Sequence, residues 1–257
     1  MARRMKRSTQ HSTAGTPAVQ FEAELEIFRT EVEAALQFYY GFLTIHAVAG
    51  DKKAVHKSLN SAPLFWNTNL GALQTATFIA LGRIFGQASA HNIDQLMRIA
   101  QNHRQIFSKQ ALGARKQGAA ASPPQWLSDY LASAKEANAG DIRRWRQQVK
   151  DLRKIYEANY RDLRHQVFAH KDRVDAAGLF AKTNIRELQR LLLELRALYQ
   201  ELWQLFFNGR KSNYRIGRYS IHMMRKRPSR RMEGRPVYER IVHEAERFLR
   251  QAPRRAP

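Results

Sequence analysis

Apolar residues recur along most of this chain at steps of three and four, the spacing of one face of an α-helix. Phe21, Leu25, Phe28, Val32, Leu36, Tyr39 and Phe42–Leu43 form the first row and predict one long helix, which Gly50–Asp51 ends. A second helix is predicted from Pro63, a suitable first-turn residue, to Phe85. Its apolar face carries Phe65–Trp66, Leu70, Leu73, Phe78, Leu81 and Ile84–Phe85. Asn92 reads as an N-cap, with Asp94 in the first turn of a helix that carries Ile93, Leu96–Met97 and Ile99, with Phe107 further on. Residues 111–124 are small and flexible in composition and predict a loop, with a short helix after it at 125–137. Gly140–Asp141 opens a long helix reaching to about His170, and a connection containing Gly178 follows. Thr183 is the expected cap of the last large helix, with Glu187 in its first turns. A leucine-rich row from Ile185 to Phe206 then ends at the Asn208–Gly209 C-cap signal. Pro236 to Arg250 predicts one more amphipathic helix, with Val237–Tyr238, Ile241–Val242, Ala245 and Phe248–Leu249 on its apolar side. Neither β-alternation nor an internal repeat is visible. The expected fold class is all-α, an antiparallel helical bundle. Trp66, Trp126, Trp145 and Trp203 lie on helical rows and are expected in the core.

Charge divides the chain further. It has 44 Lys+Arg against 22 Asp+Glu, a formal net charge of +22. The excess is concentrated at the ends. Residues 1–16 carry Arg3, Arg4, Lys6 and Arg7 with no acid, and residues 209–257 carry 15 basic and 4 acidic residues. We therefore expect a basic flexible tail at 1–16, a helical domain at 17–208 and a basic C-terminal extension with a short helix at 209–257. Such ends attract polyanions by counterion release, whether RNA, DNA or anionic lipid, without reading sequence. Arg225, Lys226, Arg227, Arg230 and Arg231 are the densest run and the candidate nucleic-acid contacts. A localisation signal or a plain solvated tail has the same composition.

Several function classes drop out. The chain has no cysteine, which excludes a disulfide scaffold, a thiolate nucleophile and a Cys-ligated zinc site. The nine histidines show no ligand-like clustering with carboxylates. Gly113–Gly118 lacks the lysine and hydroxyl of a phosphate-binding loop, and no nucleophile elbow occurs. Neither a metal nor a cofactor is expected. No apolar run approaches the roughly 20 residues of a membrane span, and no apolar stretch follows the basic start. A cytoplasmic location is the expectation.

One segment carries chemistry: Tyr160-Arg161-Asp162-Leu163-Arg164-His165-Gln166-Val167-Phe168-Ala169-His170. Arg164, a polar residue directly after it and His170 six positions on resemble the R-x(4–6)-H motif of HEPN domains. These are all-α domains, many of which are metal-independent endoribonucleases. Phe65–Trp66, Ala80-Leu81-Gly82-Arg83-Ile84-Phe85 and Asn92-Ile93-Asp94-Gln95-Leu96 resemble the abortive-infection, AbiU-like branch of that class, over about residues 20–208. His165 stands where the class more often has Asn or Asp, and Gly86 where that branch often carries an acid.

On one straight helix Arg164 and His170 are about 120° and about 9 Å apart, too divergent to meet at a single phosphate. A two-fold dimer would bring residues of both copies into one cleft, and the resemblance implies such a homodimer. It also implies cleavage of RNA by its own 2′-hydroxyl. His170 would move the proton, Arg164 would stabilise the phosphorane, and His165 would orient the partner's imidazole, contact phosphate or act as a second acid–base group. A toxin or antiphage effector fits that chemistry. Two other readings stand beside it. One is a non-catalytic nucleic-acid-binding helical module. The other is an interaction module whose basic tail docks an acidic, antitoxin-like protein. Each key residue also has a plain structural role open to it: His170 as a favourable charge near a helix C-terminus, and Arg164 as the partner of a facing acid.

Overall fold

Thirty-five residues with proline only at the first turn form α1, Pro17–Asp51, a helix about 50 Å long. The computed structural model describes residues 16–87, 89–120, 122–165, 184–213, 220–226 and 235–251. After α1 come α2 (Lys53–Asn60), α3 (Pro63–Phe85), α4 (Ile93–Asn102), a 3-10 turn (Arg104–Phe107), α5 (Lys109–Gln117), α6 (Leu127–Ser133) and α7 (Ala139–Asn159). Then follow α8 (Ile185–Asn208), α9 (Ile221–Lys226) and α10 (Val237–Gln251). No strand occurs among the described residues, and the fold is an all-α bundle.

The buried face of α1 turns part-way along the helix. At 100° per residue from Phe21, its buried residues up to Tyr39 stay within about −40° to +60°, whereas Tyr40, Gly41, Thr44, Ile45 and Val48 fall at about 100° to 240°. The first stretch meets the main core. There Phe21 packs against Phe107 and Phe206 with ring centroids 5.1 and 4.9 Å away, and Phe107 meets Trp145 at 5.7 Å. The second stretch meets a smaller cluster of Ile45, Val48, Val55 and Leu249, flanked by Trp66, Leu70 and Leu73.

α10 closes that second side. Tyr238 stacks on Tyr40 at 5.5 Å, and Tyr238, Val242 and Leu249 are buried. The segment expected to be an extension beyond the domain thus supplies part of its core. Arg225, read in the sequence as a nucleic-acid contact, belongs to the same construction. It donates to Asp51 at the end of α1 (2.6 Å) and to Glu246 of α10 (3.0 Å), and its side chain is only 8% exposed. Two carboxylates from distant parts of the chain neutralise a cation that looked free.

Other expectations also change. Residues 111–117 are helical, because Ser108 caps α5 by accepting from the Ala111 amide and Leu112 is buried beneath it. Only at Gly118, with φ +58°, does the chain leave that helix. α2 has no counterpart among the predicted elements. α7 ends at Asn159, not near His170, because Tyr160 has φ −126°. Asn184 caps α8, accepting from the Arg186 and Glu187 amides, while Thr183 lies outside the described residues. Trp145 is fully buried and Trp66 and Trp203 partly so, but Trp126 is 52% exposed and meets only the edge of Tyr130. Phe65, expected on the apolar face of α3, is exposed as well, as is its neighbour Leu64.

α8 ends as expected at Gly209, which has φ +56° and whose carbonyl accepts from the Lys135 amide at 2.7 Å. A Cβ there would lie 2.6 Å from Leu112 Cδ2 and 2.8 Å from the Ala134 Cβ. Gly209→Ala therefore combines a left-handed backbone with overpacking. It should cost about 2–4 kcal/mol, read as a lower urea midpoint at unchanged slope.

Burial pushes the Glu246 carboxyl up, but the hydrogen bonds from Arg225 and Arg250 outweigh it and hold the group below its ordinary value of 4.5. A depressed folded-state carboxyl stabilises the fold above its unfolded pKa, and that contribution is lost as pH falls through the folded value. Glu246→Gln should thus melt below wild type at pH 7, and the gap should close as the pH drops below about 4.5. Melting curves across acid pH check this.

Candidate functional site

The arginine–histidine segment is anchored at its start by Tyr160. This side chain is fully buried and stacks on Phe78 of α3 at 5.8 Å. Its hydroxyl donates to the Asn184 carbonyl (3.2 Å) and to Glu187 Oε1 (3.0 Å), and Asn159 Nδ2 donates to the same carboxylate at 2.7 Å. Burial and the Glu187 carboxylate both push the phenol far above its usual range, so Tyr160 remains a proton donor. The end of α7 is in this way tied to the beginning of α8.

Helical bonding continues through the corner. The Tyr160 amide donates to the Tyr156 carbonyl and the Arg164 amide to the Tyr160 carbonyl, each at 2.9 Å. Residues 163–165 form a wider π-type turn, a local geometry frequent at functional sites. Leu163 is the buried anchor of this turn, and Arg164 and His165 sit half-buried beside it.

Arg164 lies against the bare backbone of Gly82 in α3. A Cβ on Gly82 would stand 2.5 Å from Arg164 Nε and 3.1 Å from its Cδ and Cζ. The Nε–H is buried there without a hydrogen-bond partner. Arg164 Nη1 lies 3.1 Å from His165 Nε2. A guanidinium has no acceptor, so Nε2 carries the lone pair and the imidazole proton sits on Nδ1. Among the described residues no carboxylate pairs with Arg164, so the facing-acid reading of this residue finds no acid. What remains is a permanent, uncompensated charge with a fork of donors, held beside an imidazole that accepts from it. That set is suited to a phosphate oxygen.

The structure brings Arg164 and His165 together. His170, Arg227, Arg230 and Arg231 lie outside the described residues. Lys226 is exposed at the end of α9, and Arg225 is consumed by Asp51 and Glu246. Gly82 is the site residue that spacing alone did not single out. It stood within the Ala80–Phe85 run, but nothing in that run says which helix crosses it. No cluster of His, Asp and Glu able to hold a metal occurs among the described residues, and no described helix is long and apolar enough to cross a membrane.

Residues 19–224 match HEPN_AbiU2 (AbiU2), and the chain belongs to this family of HEPN domains. The match runs from the start of α1 into α9 and includes both Gly82 and Arg164. No curated protein and no solved structure matches the chain.

Gly82→Ala should displace the guanidinium rather than unfold the protein, because the clash falls on a flexible side chain and alanine is the better helix former by about 0.5–1 kcal/mol. The expected result is a shifted Arg164 Nε–H resonance with unfolding free energy within about 1 kcal/mol of wild type. An unmoved resonance would show that the contact is not made.

Proposed function

We propose that this protein is a metal-independent endoribonuclease of HEPN type, a cytoplasmic effector of abortive infection that cuts RNA in a cleft shared by two copies of the chain. The observation that carries this reading is Arg164. It stands where the resemblance puts the motif arginine, and it is seated on Gly82, unneutralised by any described acid and bonded to His165. Arg225 and Arg196, by contrast, are each paired with carboxylates in this same molecule.

In the proposed reaction His170 takes the proton of the substrate 2′-hydroxyl, and that oxygen attacks the adjacent phosphorus. The P–O5′ bond breaks, the leaving oxygen takes a proton from a second imidazole, and a 2′,3′-cyclic phosphate and a 5′-hydroxyl result. Arg164 stabilises the charge that builds on the phosphorane. The second imidazole must be protonated to give that proton: it is the other copy's His170, or His165 once it has gained a proton and released its bond from Arg164. The divergence of Arg164 and His170 expected on one straight helix is the reason for invoking a second copy. DNA lacks the nucleophile and would remain intact. An acidic, antitoxin-like protein is the natural restraint on such a basic chain.

The test is cleavage of single-stranded RNA by the purified full chain in EDTA. Arg164→Ala and His170→Ala should each reduce the rate on the order of 100-fold or more at unchanged melting temperature. Cyclic phosphate ends and a two-fold assembly in light scattering should accompany activity. Wild-type rates in His170→Ala would overturn the assignment. Salt-sensitive RNA binding with no turnover would favour a non-catalytic binding module instead.

A further inference from the structure

Two open depressions of about 870 and 750 Å³ share Gln101, Arg143 and Arg146 and so form one groove. One wall is α4 with the 3-10 turn after it, contributing Arg98 and Arg104; the other is α7, contributing Arg143, Arg146, Lys150 and Arg153. Measured from Arg146, the four α7 cations fall within a sector from about −20° to +60°, in a row about 15 Å long. All six are exposed except the half-buried Arg153.

The two acids in the groove are already engaged. Asp94 pairs with Arg153, and Glu136 Oε1 accepts from the Lys109 amide at 2.6 Å, at the start of α5. Arg98 donates to the neutral Gln95 and makes no ion pair among the described residues. Arg104, Arg143, Arg146 and Lys150 make no ion pair among the described residues. A row of concave, unneutralised cations is costly to assemble unless an anion with repeated charges occupies it. None of the large apolar residues exposed on this protein lies in the groove, so it lacks the anchors that a protein partner would use. We infer that this groove binds the phosphodiester backbone of single-stranded RNA.

The groove also has a direction. At its inner end Arg153 meets Asp94 at the start of α4. One turn on, Tyr156 stacks on Phe85 at the end of α3 at 5.0 Å, and beyond that Arg164 rests on Gly82. A strand laid along α7 therefore runs toward the segment that carries Arg164, eleven residues after Arg153 in the chain. The choice of RNA and that destination rest on the nuclease reading; the binding of a polyanion in the groove does not.

The test uses the full chain and a short, labelled 2′-O-methyl RNA, which lacks the attacking hydroxyl and reports binding alone. Arg143→Gln/Arg146→Gln/Lys150→Gln should weaken binding at least about 10-fold near 0.1 M salt and lower the salt-dependence slope by about 2. A charge-matched control on exposed lysines of α2 and of the residue before it, Lys52→Gln/Lys53→Gln/Lys57→Gln, should leave both within about two-fold of wild type. Wild-type binding by the groove variant, or equal weakening by the control, would overturn the inference. So would equal competition by polyglutamate, which would point to an acidic protein. Wild-type binding by Arg164→Ala that cannot cleave would support the groove and the nuclease reading separately.

Discussion

The structure depends on one helix being buried on two different sides. α1 begins with a single apolar face, and after Tyr39 that face passes to the opposite flank. A helix of about 50 Å with one stripe would leave half its length as a surface element. Here the change of face lets a single backbone serve two clusters: a main one with α4, α7, α8, the second half of α3 and the start of α10, and a smaller one with α2, the first half of α3 and the end of α10. The Tyr40–Tyr238 stack sits at the crossover. Everything that positions the arginine–histidine segment is fastened to this spine. α3, which offers Gly82, packs along it, and Tyr39 donates to the Ile185 carbonyl at 2.7 Å where α8 begins.

Much of this was readable from spacing. The apolar rows of α1 and α8, the Asn92 cap and the left-handed Gly209 are all local signals, set by helix geometry and capping chemistry within a few residues. The failures share a different origin. Tyr160 ends α7 with no glycine or proline nearby, because its hydroxyl is held by groups of α8. Residues 111–117 looked too small and polar for a packed helix, yet a serine cap and one buried leucine suffice. Arg225 sat in a basic run like any tail residue, and only the folded chain brings Asp51 and Glu246 to it.

The candidate site divides in the same way. Arg164 stood out because a motif is a local pattern. Gly82 did not, since its role is to have no side chain where another helix crosses, and absence leaves no periodicity. The cations Arg143, Arg146, Lys150 and Arg153 stand at helical spacing in the sequence, but spacing does not say what faces them. Their meaning came only from the opposite wall and from the acids already occupied.

The seat of Arg164 also dictates how an oxyanion can arrive. With Nε–H turned into the Gly82 backbone, the side-on pairing that engages Nε and one terminal nitrogen is closed off. Only the end-on edge remains, and Nη1 on that edge is already shared with the imidazole. In the proposed reaction an incoming phosphoryl oxygen would therefore meet the terminal nitrogens, of which Nη1 is the one bonded to His165.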